Sequence, residues 1–299
     1  MNRPVSGITG TMVSVICIFF NAERYIAEAV DSVLAQEGAD FEVLLVDDGS
    51  TDASGAIARG YAARLPGRVR YLHHPDHANR GMSAARNLGL RHARGAFIAF
   101  IDGDDRWRPG KLAEQLAIFA AQPDAAMVCG TVNYWGSWEG RADRLIPTGH
   151  TLDRLSRPPG ALLALYPLGS MDAPSPSDIM VRRAIAESVG GFEEEFTGLY
   201  EDVVFFAKVF AGAPAWFSSR VWVDYRQHRD SSSASVVPQR YLAVRRRFLA
   251  WLAEYVANGA IVSKRRVMRA IALAEWELDH PRTARWLRRV RKAYWALRG

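Results

Sequence analysis

Three stretches of the chain, "MVSVICIFF" (12–20), "FEVLLVDD" (41–48) and "AFIAFID" (96–102), are nearly continuous apolar runs, broken only by Ser14 and Glu42 before the aspartates that end the last two. A strand wet on one face alternates polar and apolar residues, whereas a continuous β-branched and aromatic run is buried on both faces. Such strands lie side by side in a parallel sheet covered by helices. The intervening segments supply those helices. "AERYIAEAVDSVLAQ" (22–36) places Tyr25, Ile26, Ala29, Val30, Val33 and Leu34 at helical spacing. Residues 52–64, 83–95 and 111–122 also read as helices, 68–74 as a short strand and 125–135 as another strand. The expected fold is therefore α/β, with a mostly parallel central sheet flanked by helices.

After residue 140 the rhythm loosens. "RLSRPPGALLALYPLGSMDAPSPSD" is rich in Pro, Gly and Ser and reads as loop with a helical turn or two. "DIMVRRAIAESVGGF" and "EDVVFFAKVFAG" read as a strand and two helices, and "PAWFSSRVWVDYRQH" as a strand or hairpin. Beyond Val237 the pattern is helical, broken near Asn258-Gly259 and at Pro281.

Ligands of open parallel sheets bind beyond the carboxyl ends of the strands. Two acidic clusters fall there, Asp47-Asp48 and Asp102-Gly103-Asp104-Asp105, so both are expected to face one crevice. Crowded carboxylates repel, and a hard divalent cation carrying a phosphorylated ligand relieves that repulsion. The competing reading is that Asp104 and Asp105 cap the helix that follows. No G-x-x-x-x-G-K-[ST] occurs, and no strand is followed by G-x-G-x-x-G. Phosphate anchors are available instead in "NRGMSAARN" (79–87), with a helix start near Ser83 and Arg86 one turn in.

"VSVICIFFNAERYIAEAVDSVLAQ", "FEVLLVDDGSTDAS", "NRGMSAARNLGLRHARGAFIAFIDGDD" and "YEDVVFF", in this order, resemble the inverting family 2 glycosyltransferases of the GT-A fold. The resemblance runs from about Val13 to Ala234. It implies a Rossmann-like nucleotide-binding half (12–135) fused to an acceptor and catalytic-base half (136–237), with 238–299 as a helical basic extension. It also implies a nucleotide-diphosphate sugar donor, UDP by family frequency, a glycan or lipid-linked acceptor, and Mn²⁺ or Mg²⁺ as cofactor. Asp48 matches the base-contacting residue, with Asp47 beside it. Asn21 and the run before it, Phe19 included, match the loop lining the nucleotide. Asn79 and Arg86 match positions near the ribose and diphosphate. Asp102, Gly103 and Asp104 match the D-x-D element, Asp104 being the direct metal ligand. Asp202, with Glu201 as neighbour, matches the general base, and His228 a histidine near the metal.

The chain departs from the family pattern in two places. Ile18-Phe19-Phe20-Asn21 stands where Pro-x-Tyr-Asn is common, which leaves the base-stacking group open. Q-x-x-R-W is absent, which points to single addition rather than processive polymerisation. Segment 169–183 lies where acceptor-binding segments fall, and Trp135, Trp138, Tyr166 and Tyr200 are candidates to stack on sugars. His73, His74 and His77 form a sequence cluster in a loop setting without nearby cysteine, unlike a zinc site. Two other readings stay open: a non-catalytic nucleotide-sugar- or membrane-binding protein on the same scaffold, and a metal-dependent nucleotidyltransferase.

The net charge of +6 hides a division. Residues 239–299 hold 15 Lys and Arg against 4 Asp and Glu; the rest hold 23 against 28. The tail, with Trp286, Val290, Tyr294 and Leu297 at helical spacing, fits an anionic membrane interface or a helix packed on the domain with a solvated rim. Nucleic acid is not expected, because no reader fold accompanies the basic residues. Cys17 and Cys129 lie in apolar runs and read as buried thiols of a reducing compartment. No leader pattern and no 18-residue apolar stretch occurs, so the expected location is cytoplasmic, with the inner membrane face as the site of any peripheral attachment.

Overall fold

The computed structural model describes residues 12–149, 151–228 and 238–284. Its first half alternates β1 (Val13–Phe19), α1 (Ile26–Leu34), β2 (Phe41–Asp47), α2 (Ser54–Arg64), β3 (Val69–His73), α3 (Met82–His92) and β4 (Phe97–Asp102). Then come β5 (Arg106–Trp107), α4 (Lys111–Ala121), β6 (Met127–Trp135), β7 (Arg144–Ile146), β8 (Arg154–Ser156) and α5 (Gly160–Ala164). The second half adds β9 (Met180–Arg182), α6 (Arg183–Ser188), α7 (Glu201–Gly212), β10 (Ala215–Arg226), α8 (Pro238–Asn258) and α9 (Lys264–Asp279).

The strands form one sheet in the order β3-β2-β1-β4-β9-β6-β10-β5, with β7 on β6 and β8 on β10. Strands β3, β2, β1 and β4 are mutually parallel, as their two-sided burial requires. Short β9 runs antiparallel to both β4 and β6 and joins the halves. Strand β10 pairs parallel with β6, and register shifts between Phe217 and Val223 let it bend as one strand rather than fold back as a hairpin. Two-residue β5 had no sequence signal, since a pair of residues carries no periodicity.

Alternation within the buried strands sorts the two faces. Ile16, Ile18, Leu44, Val46, Ile98 and Phe100 point to the core shared with α3 and α7. Val15, Cys17, Val43, Leu45, Ala99 and Ile101 point to the core covered by α1, α2 and α4. On α1, Ile26, Ala29, Val30 and Val33 are the buried face, the 3.6-residue pattern read from the sequence.

The basic tail is not wholly peripheral. Phe248, Leu249, Leu252 and Val256 of α8 and Val267 and Ile271 of α9 enter the same core as α7. Trp251 meets Phe196 edge-on at 6.0 Å, and Phe248 lies 5.1 Å from Tyr200. Residues 285–299, with Trp286, Val290, Tyr294 and Leu297, lie outside the described residues. Among the described residues no helix is long and apolar enough to cross a membrane.

Candidate active site

Register brings the acidic clusters to one level. Asp47 of β2 stands opposite Phe19, and Asp102 of β4 opposite Ile18, so three strands of the parallel group end together. Beyond them opens a cleft of about 850 Å³. Phe19, Asn21, Asp48, Asn79, Arg86, Asp102, Gly103, Asp104, Asp202 and His228 all line it.

The paired aspartates divide their work. Asp47 is fully buried beneath the loop: it accepts from the Ser50 amide at 2.8 Å and the Tyr71 hydroxyl at 2.8 Å. Asp48 reaches the cleft and accepts from the Arg80 and Gly81 amides, each at 2.9 Å. Burial pushes its carboxyl above the ordinary value while those two amides oppose the rise. The sequence histidines back this pair: His74 lies 3.6 Å from Asp48 and His77 3.6 Å from Asp47. Asn21, at φ 50°, accepts from the Thr51 amide at 2.8 Å and so clamps the β1–α1 loop to the β2–α2 loop.

The second cluster divides in the same way. Asp105 is buried, accepting from Ser177 Oγ at 2.5 Å and the Arg226 amide at 2.9 Å. Asp102 pairs with Arg86 Nη2 at 2.7 Å, and its amide donates to Ser177 Oγ at 3.0 Å. Asp104 turns to the opening and meets His228 Nε2 at 2.9 Å. Gly103 between them must be small, because a Cβ there would lie 2.7 Å from the Phe19 Cβ. Arg226 fixes this loop from behind. Its Nε donates to the Asp104 carbonyl at 2.7 Å, and its guanidinium sits over Tyr25, Trp135 and Trp138.

Arg86 is the electrostatic hub. It is 2% exposed, and burial pulls its pKa down. The carboxylates of Asp102, Glu201 and Asp202 outweigh that pull and hold it above its ordinary value. Glu201 and Asp202 open α7, where the helix N-terminus favours negative charge. Burial pushes Glu201 up to about 7. Asp202 also rises through burial, with Arg86 and the Val203 amide at 2.8 Å opposing.

Asp104 supplies a hard carboxylate oxygen of the kind that suits Mn²⁺ or Mg²⁺, and the His228 imidazole stands beside it. Asp102, held by Arg86, stands behind them. Among the described residues no three His, Cys, Asp or Glu side chains form a closed metal cage.

Of the four aromatics singled out in the sequence, only Tyr200 lines the cleft, and it is 7% exposed. Trp135 and Trp138 belong to the stack around Arg226, and the Tyr166 hydroxyl accepts from Arg245 at 2.8 Å. Sequence reasoning missed Tyr134, Tyr225 and Arg240, which also line the cleft, and it left the stacking group within Ile18-Phe19-Phe20-Asn21 open. Phe19 is 4% exposed and packed in the core, whereas Phe20 is 48% exposed; the open ring at the end of β1 is Phe20. The strand alternation that puts Phe19 inward was the available signal.

The family model described as glycosyl transferase family 2 matches residues 14–190, more than half of the chain, and the chain belongs to that family. It is 48% identical over 94 residues to an uncharacterized glycosyltransferase, EpsJ, of Bacillus subtilis, a stretch covering 31% of this chain and 26% of that protein. The chain spans between 26% and 50% of the length of several curated relatives it matches. Among solved structures, S. aureus TarS 1-349 in complex with UDP-GlcNAc superposes with a TM-score of 0.68 at 22% identity, covering 88% of this chain and 71% of that one. A mannosyltransferase of Pyrobaculum calidifontis, PcManGT, in complex with GDP-Man and Mn²⁺ superposes at 0.55 and 21% identity, covering 89% and 69%. The shared architecture is the GT-A fold.

Proposed function

We propose that the protein transfers a sugar from a nucleotide diphosphate, UDP in the first instance, to a hydroxyl of a glycan or lipid-linked acceptor, with inversion at the anomeric carbon. The observation that carries this reading is the convergence of Asp48, Asp102–Arg86, Asp104–His228 and Asp202 on one cleft at the carboxyl ends of parallel strands.

Asp48 accepts from the nucleobase, held in place by two backbone amides. Phe20 and Asn79 flank the nucleotide. Asp104 and His228 would hold Mn²⁺ or Mg²⁺, which when bound neutralises charge developing on the departing diphosphate. Asp202 takes the proton of the attacking hydroxyl; burial raises its basicity, and Arg86 keeps it ionised. Peripheral attachment to an anionic membrane is supported by the exposed cations Lys264, Arg265, Arg266 and Arg269 beside Val262, which is 56% exposed. Failure to sediment with phosphatidylglycerol vesicles at low salt would remove that part.

The test of the transfer step is release of nucleotide from a panel of UDP-, dTDP- and GDP-sugars, with and without Mn²⁺. Asp202→Asn should bind nucleotide as the wild type does and turn over roughly 10²–10⁴-fold more slowly. The wild-type rate should fall on acidification along a limb lying above the ordinary aspartate range, and Asp202→Asn should lack that limb. Near wild-type turnover by Asp202→Asn would remove the base assignment.

A further inference from the structure

The acidic loop after β4 is closed by the Asp105 amide, which donates to the Asp102 carbonyl at 3.0 Å. Such a bond closes a turn but does not fix where its side chains point. That is set by groups gripping the turn from outside. Ser177 grips it at both ends. Its hydroxyl accepts from the Asp102 amide at 3.0 Å and donates to Asp105 Oδ2 at 2.5 Å. A hydroxyl has one proton to give and lone pairs to receive with, so this single group ties the first residue of the loop to the last. Arg226 holds the same loop from β10 at Asp104 and Asp105, and Ser177 adds the tie to Asp102. Asp104, between the two gripped ends, is left turned to the opening beside His228.

Ser177 is itself immobilised. It lies in the turn that enters β9 and is 0% exposed, so it acts through the loop rather than on a bound group. Its carbonyl accepts from Trp107 Nε1 at 2.7 Å. The next carbonyl, that of Asp178, accepts from Lys111 Nζ at 2.6 Å and Gln115 Nε2 at 2.7 Å, and the Asp178 carboxylate accepts from the Gly130 amide. Lys111, Gln115 and Asp178 are fully buried. A buried polar network of this kind specifies one arrangement, because any other leaves a group unpaired without water to replace its partner. The cluster thus fastens Ser177 to α4 and β6.

We propose that Ser177 is a positioning residue for the metal-bearing loop, holding Asp104 in the direction that serves a cation on the donor diphosphate. The proposal rests on the transferase reading above. It gives the segment around 169–183, which the sequence assigned to the acceptor, a second duty toward the donor. Without the hydroxyl, an Asp105 carboxylate oxygen that is shielded from water loses its donor. Asp105 then turns to find another, and Asp104 moves with it.

The test is calorimetric titration of the full chain with UDP, with and without saturating Mn²⁺. Ser177→Ala should lose roughly 10–100-fold of the affinity that Mn²⁺ adds, while metal-free UDP affinity stays within twofold. Ser177→Thr, which keeps a hydroxyl, should recover part of the loss. Ser14→Ala is the control for general destabilisation. Ser14 is equally buried and ties Glu42 to the Arg94 and Gly95 amides at the other end of the sheet. It should melt earlier than the wild type and keep both UDP affinities within twofold. Should Ser177→Ala not fold, Ser177→Cys carries the same expectation, since a thiol fills the site but donates and accepts weakly. An undiminished Mn²⁺ gain in the Ser177 variant that folds would overturn the proposal, as would an equal loss in Ser14→Ala. A tenfold loss of metal-free UDP affinity would overturn it by making the effect one on the whole donor pocket. Equal UDP binding by the wild type with and without Mn²⁺ would overturn it by removing the metal. Failure of the wild type to bind UDP or any other nucleotide would instead count against the transferase reading itself.

Discussion

Replacing Arg86 by Met removes a buried cation that faces Asp102, Glu201 and Asp202 while nearly keeping side-chain volume. Breaking a buried pair by deleting one partner costs roughly 3–5 kcal/mol, because the remaining charge stays buried and uncompensated. The unfolding entropy of a chain of this length is about 0.6 kcal/mol/K, so the melting temperature should fall by roughly 5–8 °C at pH 8. The pH dependence identifies the cause. Burial already raises Asp102 and Asp202, and Arg86 opposes the rise; without it their folded-state values climb further. A carboxyl whose folded value is raised penalises the fold above the unfolded value, fully so above the folded one, and not below both. The loss should therefore shrink as pH falls toward about 4, and Arg86→Met/Asp102→Asn should recover part of it at pH 8. Urea melts at pH 8, 6 and 4.5 read this directly. A deficit independent of pH, or one below about 1 kcal/mol at pH 8, would refute the electrostatic role of Arg86 and leave only packing against Phe192.

Two further perturbations separate the parts of the account. Gly103→Ala forces a Cβ to within 2.7 Å of the Phe19 Cβ, so it should cost roughly 1–3 kcal/mol and weaken metal-dependent nucleotide binding more than metal-free binding; equal weakening of both would detach Gly103 from the Asp102–Asp104 loop geometry. Phe248→Ala removes a ring that is 1% exposed between α8 and Tyr200, so roughly 3–5 kcal/mol should be lost in a single unfolding transition; a separate early transition would make the C-terminal helices an independent unit.

The parallel strands were legible because burial on both faces leaves a nearly continuous apolar run, as in β1, β2 and β4, where only Ser14 and Glu42 interrupt it. The carboxyl-end rule then located the crevice from the same pattern. What could not be read was which aspartate of each pair faces it. Asp47 and Asp105 are turned inward by Ser50, Tyr71, Ser177 and the Arg226 amide, and those partners lie from 3 to 121 residues away. Phe20 was hidden for the same reason: one step along a strand reverses its face, and strand ends are uncertain by about that much. Arg240 was counted among the tail's basic residues because nothing local places α8 against the loop before Asp202. That placement comes from Phe248, Trp251 and Tyr241 packing on Tyr200 and Phe196. The short strands β5, β7 and β8 lie in segments too brief to show periodicity.

The most direct test of the central claim is a thermal-shift panel of UDP, dTDP, GDP and CDP, each with and without Mn²⁺, on wild type and Asp104→Ala. A ligand that binds only the folded chain raises the melting temperature by mass action. The account predicts a shift with UDP that grows when Mn²⁺ is added, and loss of that metal-dependent increment in Asp104→Ala. No shift with any nucleotide would contradict the nucleotide-sugar site, and a metal-dependent shift retained in Asp104→Ala would contradict its metal ligand.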